Sequence, residues 1–224
     1  GAVLALEYAA RYPKRVSHLV LMNPAPASAA DYGVLRKFYL EKIGAQMDRQ
    51  RDLLTSAAYK AGDPEAVTAR YRIHFKPALK RSSDYETLMA KMSAQFAKQG
   101  SAGILKARAV EDRLMQDSWE KADYDLLPRL RSLKIPTLVV SGDFDFIPVD
   151  ISQHIAEAIP GAQWVTLKDC GHFTYLECPR DLRPDVDNFF GGGSKPIAAS
   201  RPGGVEKRVV AAAEGESARA IELL

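Results

Sequence analysis

The sequence predicts an α/β fold in which a parallel sheet with flanking helices carries an inserted all-helical segment. Short apolar runs typical of strands occupy residues 16–22, 135–141 and 163–167. Strands that alternate with helices are joined by right-handed crossovers and form parallel sheets. Because only helical patterns fill the long interval between the first two runs, we interpret that interval as an insertion into the sheet.

The chain begins with one part of the predicted core, residues 1–26. Residues 1–12 place apolar side chains at helical spacing, and the pattern stops before Pro13, which cannot continue a helix. The apolar run 16–22 follows and ends at Asn23, which predicts a strand buried on both faces. A helix that leads into such a strand is one α/β unit.

Residues 27–133 show amphipathic patterns at helical spacing, separated by residues that begin or end helices. The candidates for N-caps and helix ends are Asp31, Gly62, Asp63 followed by Pro64, and Ser83 or Asp84. We therefore predict four or more helices here, which lie over the strand ends as a cap and shape the pocket beneath it.

Residues 134–190 return to the pattern of the core and are predicted to carry its acid and base. The predicted elements are a strand at 135–141, a helix at 149–159, a strand at 163–167 and a helix at 180–190. The sequence then becomes rich in glycine and afterwards in alanine and mixed charges. Residues 191–224 are therefore predicted to form a flexible tail.

Composition excludes several kinds of partner. The 31 basic and 28 acidic residues are scattered along the chain and give a net charge of +3, so no nucleic-acid-binding surface is predicted. No apolar stretch approaches the roughly 20 residues that span a bilayer. The sequence carries no metal-binding spacing, phosphate loop or dinucleotide fingerprint, so neither a metal nor another cofactor is expected. It gives no information on oligomeric state.

The cysteine content bears on the compartment. Cys170 and Cys178 are the two cysteines of the chain, too few for a framework of disulfides. This count favours a reducing compartment, and a cytoplasmic protein is the resulting expectation.

Two polar residues follow the second and third predicted strands. Asp145 ends the turn GDFD after residues 135–141, and His172 lies in CGHF after residues 163–167. The carboxyl ends of parallel strands lie at one edge of a sheet, where ligands bind. A carboxylate that binds one ring nitrogen of a histidine fixes its tautomer and leaves the other nitrogen as a general base. We therefore predict Asp145 as the orienting acid and His172 as the base.

Each of these residues also has a structural interpretation. Aspartate is common in turns after strands, and either Asp143 or Asp145 could serve there as a turn residue. His172 could likewise be an ordinary loop histidine. The order strand, G-x-x-D, helix, strand, Gly-His and helix favours the functional interpretation.

This order of segments resembles the alpha/beta-hydrolase superfamily, in its cap-bearing branch, over about residues 1–190. The matching pieces are GAVLALEYA with Tyr12-Pro13, the strand at 16–21, the helical insertion after Pro24, residues 136–148, and Gly171-His172-Phe173 with Glu177 and Pro179. The resemblance implies that Asp145, not Asp143, is the acid of a nucleophile–acid–base triad, with His172 as its base. It also implies a partial version of the fold that begins just after the nucleophile elbow, with Gly1 as the last glycine of that elbow.

The resemblance implies a function for the complete protein. A serine hydrolase that cleaves an ester, amide or N-terminal peptide bond in a small molecule or short peptide is expected. The present chain is expected to be inactive by itself, because the nucleophile and the oxyanion hole lie upstream. A dehalogenase or epoxide hydrolase with an aspartate nucleophile, and a non-catalytic, truncated binding protein, remain alternatives. The residues upstream of Gly1 distinguish them.

Aromatic residues near the predicted pair are candidates for the substrate pocket. Phe144, Phe146 and Phe173 flank it in sequence, although aromatic residues beside strands often belong to the core. Residues 71–77 resemble the caps of prolyl aminopeptidase-like members, but an amphipathic helix that packs its aromatic side chains inward is the simpler interpretation. The other histidines, His18, His74 and His154, are interpreted as packing or surface residues.

Overall fold

The computed structural model describes residues 1–191, so the predicted tail lies outside the described residues except for Gly191. Within residues 1–191, three strands form one parallel sheet in the order β1-β2-β3. The strands are β1 (Leu19–Met22), β2 (Thr137–Gly142) and β3 (Gln163–Leu167). The parallel sheet predicted from the three apolar runs is confirmed.

The central and edge strands of this sheet differ in burial. Every residue of β2 is buried, as expected for a strand with neighbours on both sides. In β1 the burial alternates, because Leu19 and Leu21 are buried whereas Val20 is half-buried and Met22 is exposed. The prediction that this strand is buried on both faces is therefore wrong, since β1 pairs only with β2 among residues 1–191.

Helices cover both faces of the sheet. The helices of these two layers are α1 (Ala2–Arg11), α7 (Leu127–Leu130), α8 (Val149–Ala158) and α10 (Pro179–Phe190), and the short helix α9 (Thr174–Glu177) precedes α10. Leu6 of α1, Leu130 of α7 and Ile155 of α8 share one apolar cluster with Leu21 and Val139 of the sheet. Leu182 and Phe189 of α10 pack with Leu138, Val140 and Val165 on the other face. The sheet is thus the middle layer of an α/β sandwich.

The interval between β1 and β2 is helical, apart from one isolated bridge between Ser28 and Asp125. Its longer helices are α2 (Ala29–Ile43), α3 (Met47–Thr55), α4 (Ala57–Lys60), α5 (Pro64–His74) and α6 (Ser82–Asp117). The amide of Ala29 donates to the carbonyl of Tyr124 at 2.8 Å, and the amide of Leu126 donates to the carbonyl of Ala27 at 2.9 Å. The chain therefore enters and leaves this segment at adjacent points.

The helix ends show where capping signals were interpreted correctly. Asp63 accepts a hydrogen bond from the amide of Ala66 at 2.8 Å, and Pro64 occupies the first turn of α5, as predicted. Gly62 follows α4 with a φ of +75°, a backbone conformation that suits glycine at a helix end.

Two capping predictions are wrong. Ser28, not Asp31, caps α2, because its hydroxyl accepts from the Asp31 amide at 3.1 Å. Helix α6 begins at Ser82 without a side-chain cap, so neither Ser83 nor Asp84 caps it. Asp84 instead accepts a hydrogen bond from the guanidinium of Arg81 at 2.9 Å and does not cap the helix. Acidic residues inside the first turn of a helix give the same sequence signal as a true N-cap.

Cys170 and Cys178 form a disulfide that joins the end of the β3 region to the start of α10. A disulfide is thus present although the two cysteines are too few for a framework of them. Two cysteines are enough for one disulfide between residues close in sequence, and disulfides persist in oxidising compartments. The cysteine count thus gives no argument for a cytoplasmic location. Among residues 1–191, none of the helices combines the length and the apolar composition that spanning a bilayer requires.

Candidate active site

The two turns that carry the predicted acid and base lie back to back at the carboxyl edge of the sheet. Gly142 ends β2, and a Cβ atom there would lie 2.1 Å from the carbonyl oxygen of Cys170. The amide of Phe144 donates to that carbonyl at 2.9 Å, and Asp143 accepts from the amide of Cys170 at 3.3 Å. Asp143 therefore links the two turns, and glycine at position 142 permits their close approach.

Asp145 and His172 meet at this edge of the sheet. Nδ1 of His172 lies 2.9 Å from Oδ2 and 3.1 Å from Oδ1 of Asp145. The side chain of Asp145 is 1% exposed and that of His172 is 22% exposed. When Nδ1–H donates to the buried carboxylate, Nε2 of the more exposed ring is the nitrogen that can accept a proton. The arrangement has the geometry of an orienting acid and a general base.

Asn23 is a third member of this polar cluster, and the sequence did not indicate it. Its side-chain amide donates to Oδ2 of Asp145 at 2.7 Å and to the carbonyl of Gly171 at 3.4 Å. Asn23 is 3% exposed and has a φ of +46°, which asparagine adopts more readily than most residues. The end of β1 therefore fixes both the acid and the turn that precedes the histidine.

Hydrogen bonds also connect the backbone around His172 to the helical segment between β1 and β2. The amide of His172 donates to the carbonyl of Ala78 at 2.7 Å, and the amide of Gly171 donates to Oε2 of Glu177 at 2.8 Å. A Cβ atom at Gly171 would lie 2.2 Å from the Ala78 oxygen and 2.4 Å from the Glu177 oxygen. Glycine is therefore required at position 171 for both partners to approach.

Aromatic rings surround His172. The centroid of its ring lies 5.0 Å from that of Phe146, 5.1 Å from that of Phe173 and 6.4 Å from that of Phe75. Phe144 is 37% exposed, and its ring centroid lies 5.3 Å from the ammonium of Lys42. The structure thus brings two of the three predicted phenylalanines to the pair and adds one from the end of α5.

His74 extends this aromatic wall. Its ring centroid is 5.3 Å from that of Phe146, and Nδ1 is 2.9 Å from the hydroxyl of Tyr39. Burial lowers the pKa of His74 well below 6.5, and the charges of Arg70 and His172 lower it further. Burial also raises the pKa of Tyr39. Both side chains are therefore uncharged at neutral pH, so this part of the wall carries no charge of its own.

Metal binding has no support in the described part of the chain. Among residues 1–191 no group of three or more histidine, cysteine, aspartate or glutamate side chains is arranged to hold a metal ion. The polar atoms of the Asp145 and His172 pair bind one another and Asn23.

Comparison with known proteins gives the family. A family model described as the alpha/beta hydrolase fold matches residues 1–179. The chain belongs to the alpha/beta hydrolase family. The superfamily inferred from the order of segments is thereby confirmed, and the fold class with it.

Similar proteins include several kinds of hydrolase. A 2-hydroxymuconate semialdehyde hydrolase of Pseudomonas putida is 28% identical over 191 residues, which cover 84% of this chain and 59% of that protein. A proline iminopeptidase of Pestalotiopsis fici is 24% identical over 178 residues, which cover 79% of this chain and 59% of that protein. The chain therefore spans about 59% of the length of these two relatives.

Solved structures show the same fold. An alpha/beta hydrolase enzyme from a Medee basin deep-sea metagenome library superposes with a TM-score of 0.58 at 23% identity, covering 85% of this chain and 62% of that one. The likeness concerns the arrangement of elements. Proline iminopeptidases are among the relatives.

Proposed function

We propose that the complete protein is a hydrolase that cleaves an ester, amide or N-terminal peptide bond through a nucleophile–acid–base triad. Asp145 is the acid, His172 is the base, and a residue upstream of Gly1 is the nucleophile. The observation that carries this proposal is the 2.9 Å contact between Nδ1 of His172 and the buried carboxylate of Asp145 at the carboxyl edge of the sheet. Membership of the hydrolase family supports it.

The chemistry follows from the two ring nitrogens of His172. Nε2 takes the proton of the nucleophile as its oxygen attacks the carbonyl carbon, and the imidazolium that forms is stabilised by Asp145. The same proton then passes to the leaving alcohol or amine as its bond to the carbonyl carbon breaks, which leaves the acyl-enzyme. Water completes the cycle when it loses a proton to His172 and attacks the acyl carbon, and the same proton returns to the enzyme oxygen as the acyl–enzyme bond breaks.

The surroundings of the pair bear on substrate class. Phe146, Phe173 and Phe75 form the wall beside His172, and His74 adds an uncharged ring to it. We expect an apolar group of the substrate, not a charged one, to lie against this wall. The helical segment between β1 and β2 supplies two of these rings, which supports its role as a cap over the site.

The test is replacement of the base in the complete protein. His172→Ala should lower kcat by about 10⁶-fold, the cost of removing the base of such a triad. Hydrolysis of p-nitrophenyl acyl esters and of amino-acid p-nitroanilides, proline p-nitroanilide included, measures the rate and the kind of bond cleaved. His154→Ala, which removes an exposed histidine of α8, is the matched control and should retain activity. Full activity in His172→Ala would overturn the proposal.

The sequence upstream of Gly1 separates the remaining possibilities. A G-x-S-x-G motif that ends at Gly1 supports a serine hydrolase. An aspartate at the central position of the same motif supports a dehalogenase or epoxide hydrolase. A start codon with neither residue upstream supports a non-catalytic binding protein and contradicts the proposed triad.

A further inference from the structure

Glu177 connects two segments that are distant in sequence. Its Oε2 accepts from the amide of Gly171 at 2.8 Å. Its Oε1 accepts from the amide of Lys80 at 2.8 Å and from that of Arg81 at 3.2 Å. The residue is 4% exposed, so one buried carboxylate binds three backbone amides, one beside His172 and two from the chain that leads into α6.

The backbone amides, not the cationic side chains, hold this carboxylate. The ammonium of Lys80 pairs with Asp169, and the guanidinium of Arg81 pairs with Asp84 at 2.9 Å. A glutamine at position 177 would have the same shape, but one end of its side chain would present N–H groups to a backbone N–H. The geometry therefore requires an acceptor at both ends of the side chain, which a carboxylate supplies.

The two connections of Glu177 converge on the histidine. Gly171, which it binds directly, precedes His172. Ala78, which accepts from the amide of His172 at 2.7 Å, lies two residues before Lys80. A shift of either segment would move the imidazole relative to the Asp145 carboxylate, because both segments are bonded to the same short stretch of backbone.

We propose that Glu177 is a positioning residue for His172. Its carboxylate couples the orientation of the imidazole against Asp145 to the docking of the segment at 76–81. This proposal rests on the proposed function, because it assigns Glu177 a part in holding the base of that reaction. Positioning residues act on the rate of the chemical step more than on ground-state binding.

The first test separates kcat from KM in the complete protein. In Glu177→Gln we expect kcat to fall by about 10-fold or more while KM changes by less than about twofold, because transition-state alignment is lost and the pocket is kept. Glu157→Gln is the matched control, since it removes an exposed carboxylate of α8 that binds Gln153 in the same helix. Unchanged kcat in Glu177→Gln would overturn the proposal.

The second test does not need turnover. Long-range ¹H–¹⁵N NMR spectra report the tautomer of His172, which is assigned by comparison with His172→Gln. The parent protein should show Nδ1–H as one tautomer, and Glu177→Gln should show averaging of the two ring nitrogens, while Glu157→Gln matches the parent. Identical His172 shifts in Glu177→Gln and the parent would overturn the proposal.

The two tests distinguish failure of the inference from failure of the proposed function. A complete protein that cleaves none of the substrates, but whose His172 tautomer depends on Glu177, contradicts the function and keeps the positioning role. If Glu177→Gln does not fold, Glu177→Asp retains the charge but is too short to bind both segments. The same two readouts then apply, and parent values for kcat and tautomer would overturn the proposal.

Discussion

Two histidine–aspartate pairs of this molecule have the same bond length but different surroundings. Nδ1 of His172 and Nδ1 of His154 each lie 2.9 Å from a carboxylate oxygen, of Asp145 and of Asp31 respectively. Asp145 is 1% exposed and His172 22%, whereas Asp31 is 10% and His154 49% exposed. The distance between a histidine and an acid therefore does not identify an active site.

The pairs differ in how their members are held. Asp145 and His172 lie in turns after adjacent strands, and Asn23 adds a hydrogen bond from a third strand. Asp31 and His154 lie on helices, and the second carboxylate oxygen of Asp31 is buried without a hydrogen-bond partner among residues 1–191. Turns that are anchored by additional hydrogen bonds keep a side chain within the narrow range of positions and orientations that catalysis needs. We conclude that the support around the pair, more than the pair itself, distinguishes the two.

The largest expected difference between the two pairs is the change in kcat when the aspartate of each pair is replaced by asparagine. Asp145→Asn in the complete protein should lower kcat by about 10³-fold to 10⁴-fold, because an amide no longer stabilises the imidazolium or fixes its tautomer. Asp31→Asn should leave kcat within about twofold, since among residues 1–191 this pair shares no hydrogen bond with Asp145 or His172. Steady-state assays on the same substrate measure both. Equal losses in the two variants would contradict the distinction between the pairs.

A smaller effect is expected from Asn23, which binds the acid of the first pair. Asn23→Gly removes the amide but tolerates the positive φ, and kcat should fall by about 10-fold, equivalent to about 1.4 kcal/mol for a hydrogen bond to a charged group. Asn23→Ala should lose the same activity and a further 1–2 kcal/mol or so of unfolding free energy, because alanine is strained at this φ. Urea unfolding measures the second quantity. Parent activity in Asn23→Gly would show that Asp145 is oriented without this bond.

The strands and the pair could be predicted because their signals are local. Apolar, β-branched runs identified β2 and β3 to within two residues, and the residues just after them had to share one edge of a parallel sheet. Asp145 and His172 were recognised from this placement together with the family pattern, although aspartate after a strand is by itself an ordinary turn residue.

The support around the pair could not be predicted, because it depends on tertiary contacts. Asn23 binds a residue 122 positions away, and nothing in the sequence around it indicates that contact. Glu177 and Ala78 likewise act through backbone groups whose partners only the folded chain shows. The helical segment was least predictable in its caps, since Asp31 and Asp84 give the same local signal as a true N-cap such as Asp63.

The smallest expected effect concerns His74, which is buried among aromatic rings and binds the Tyr39 hydroxyl instead of a carboxylate. Burial first, and then the charges of Arg70 and His172, lower its pKa well below 6.5, so the unfolded chain binds a proton there more readily than the folded chain. Its contribution to stability is therefore present above about pH 6.5 and is lost as the pH falls below that value.

The Tyr39 hydroxyl, which donates to Gln50, accepts from Nδ1–H of His74, and an asparagine amide can replace that donor. In His74→Asn the unfolding free energy should thus change less between pH 7.5 and 5.5 than in the parent, while His154→Asn keeps the slope attributed to His74. Urea unfolding at the two pH values measures this difference, and an equal acid-side loss in the parent and His74→Asn would show that His74 is not buried in its neutral form.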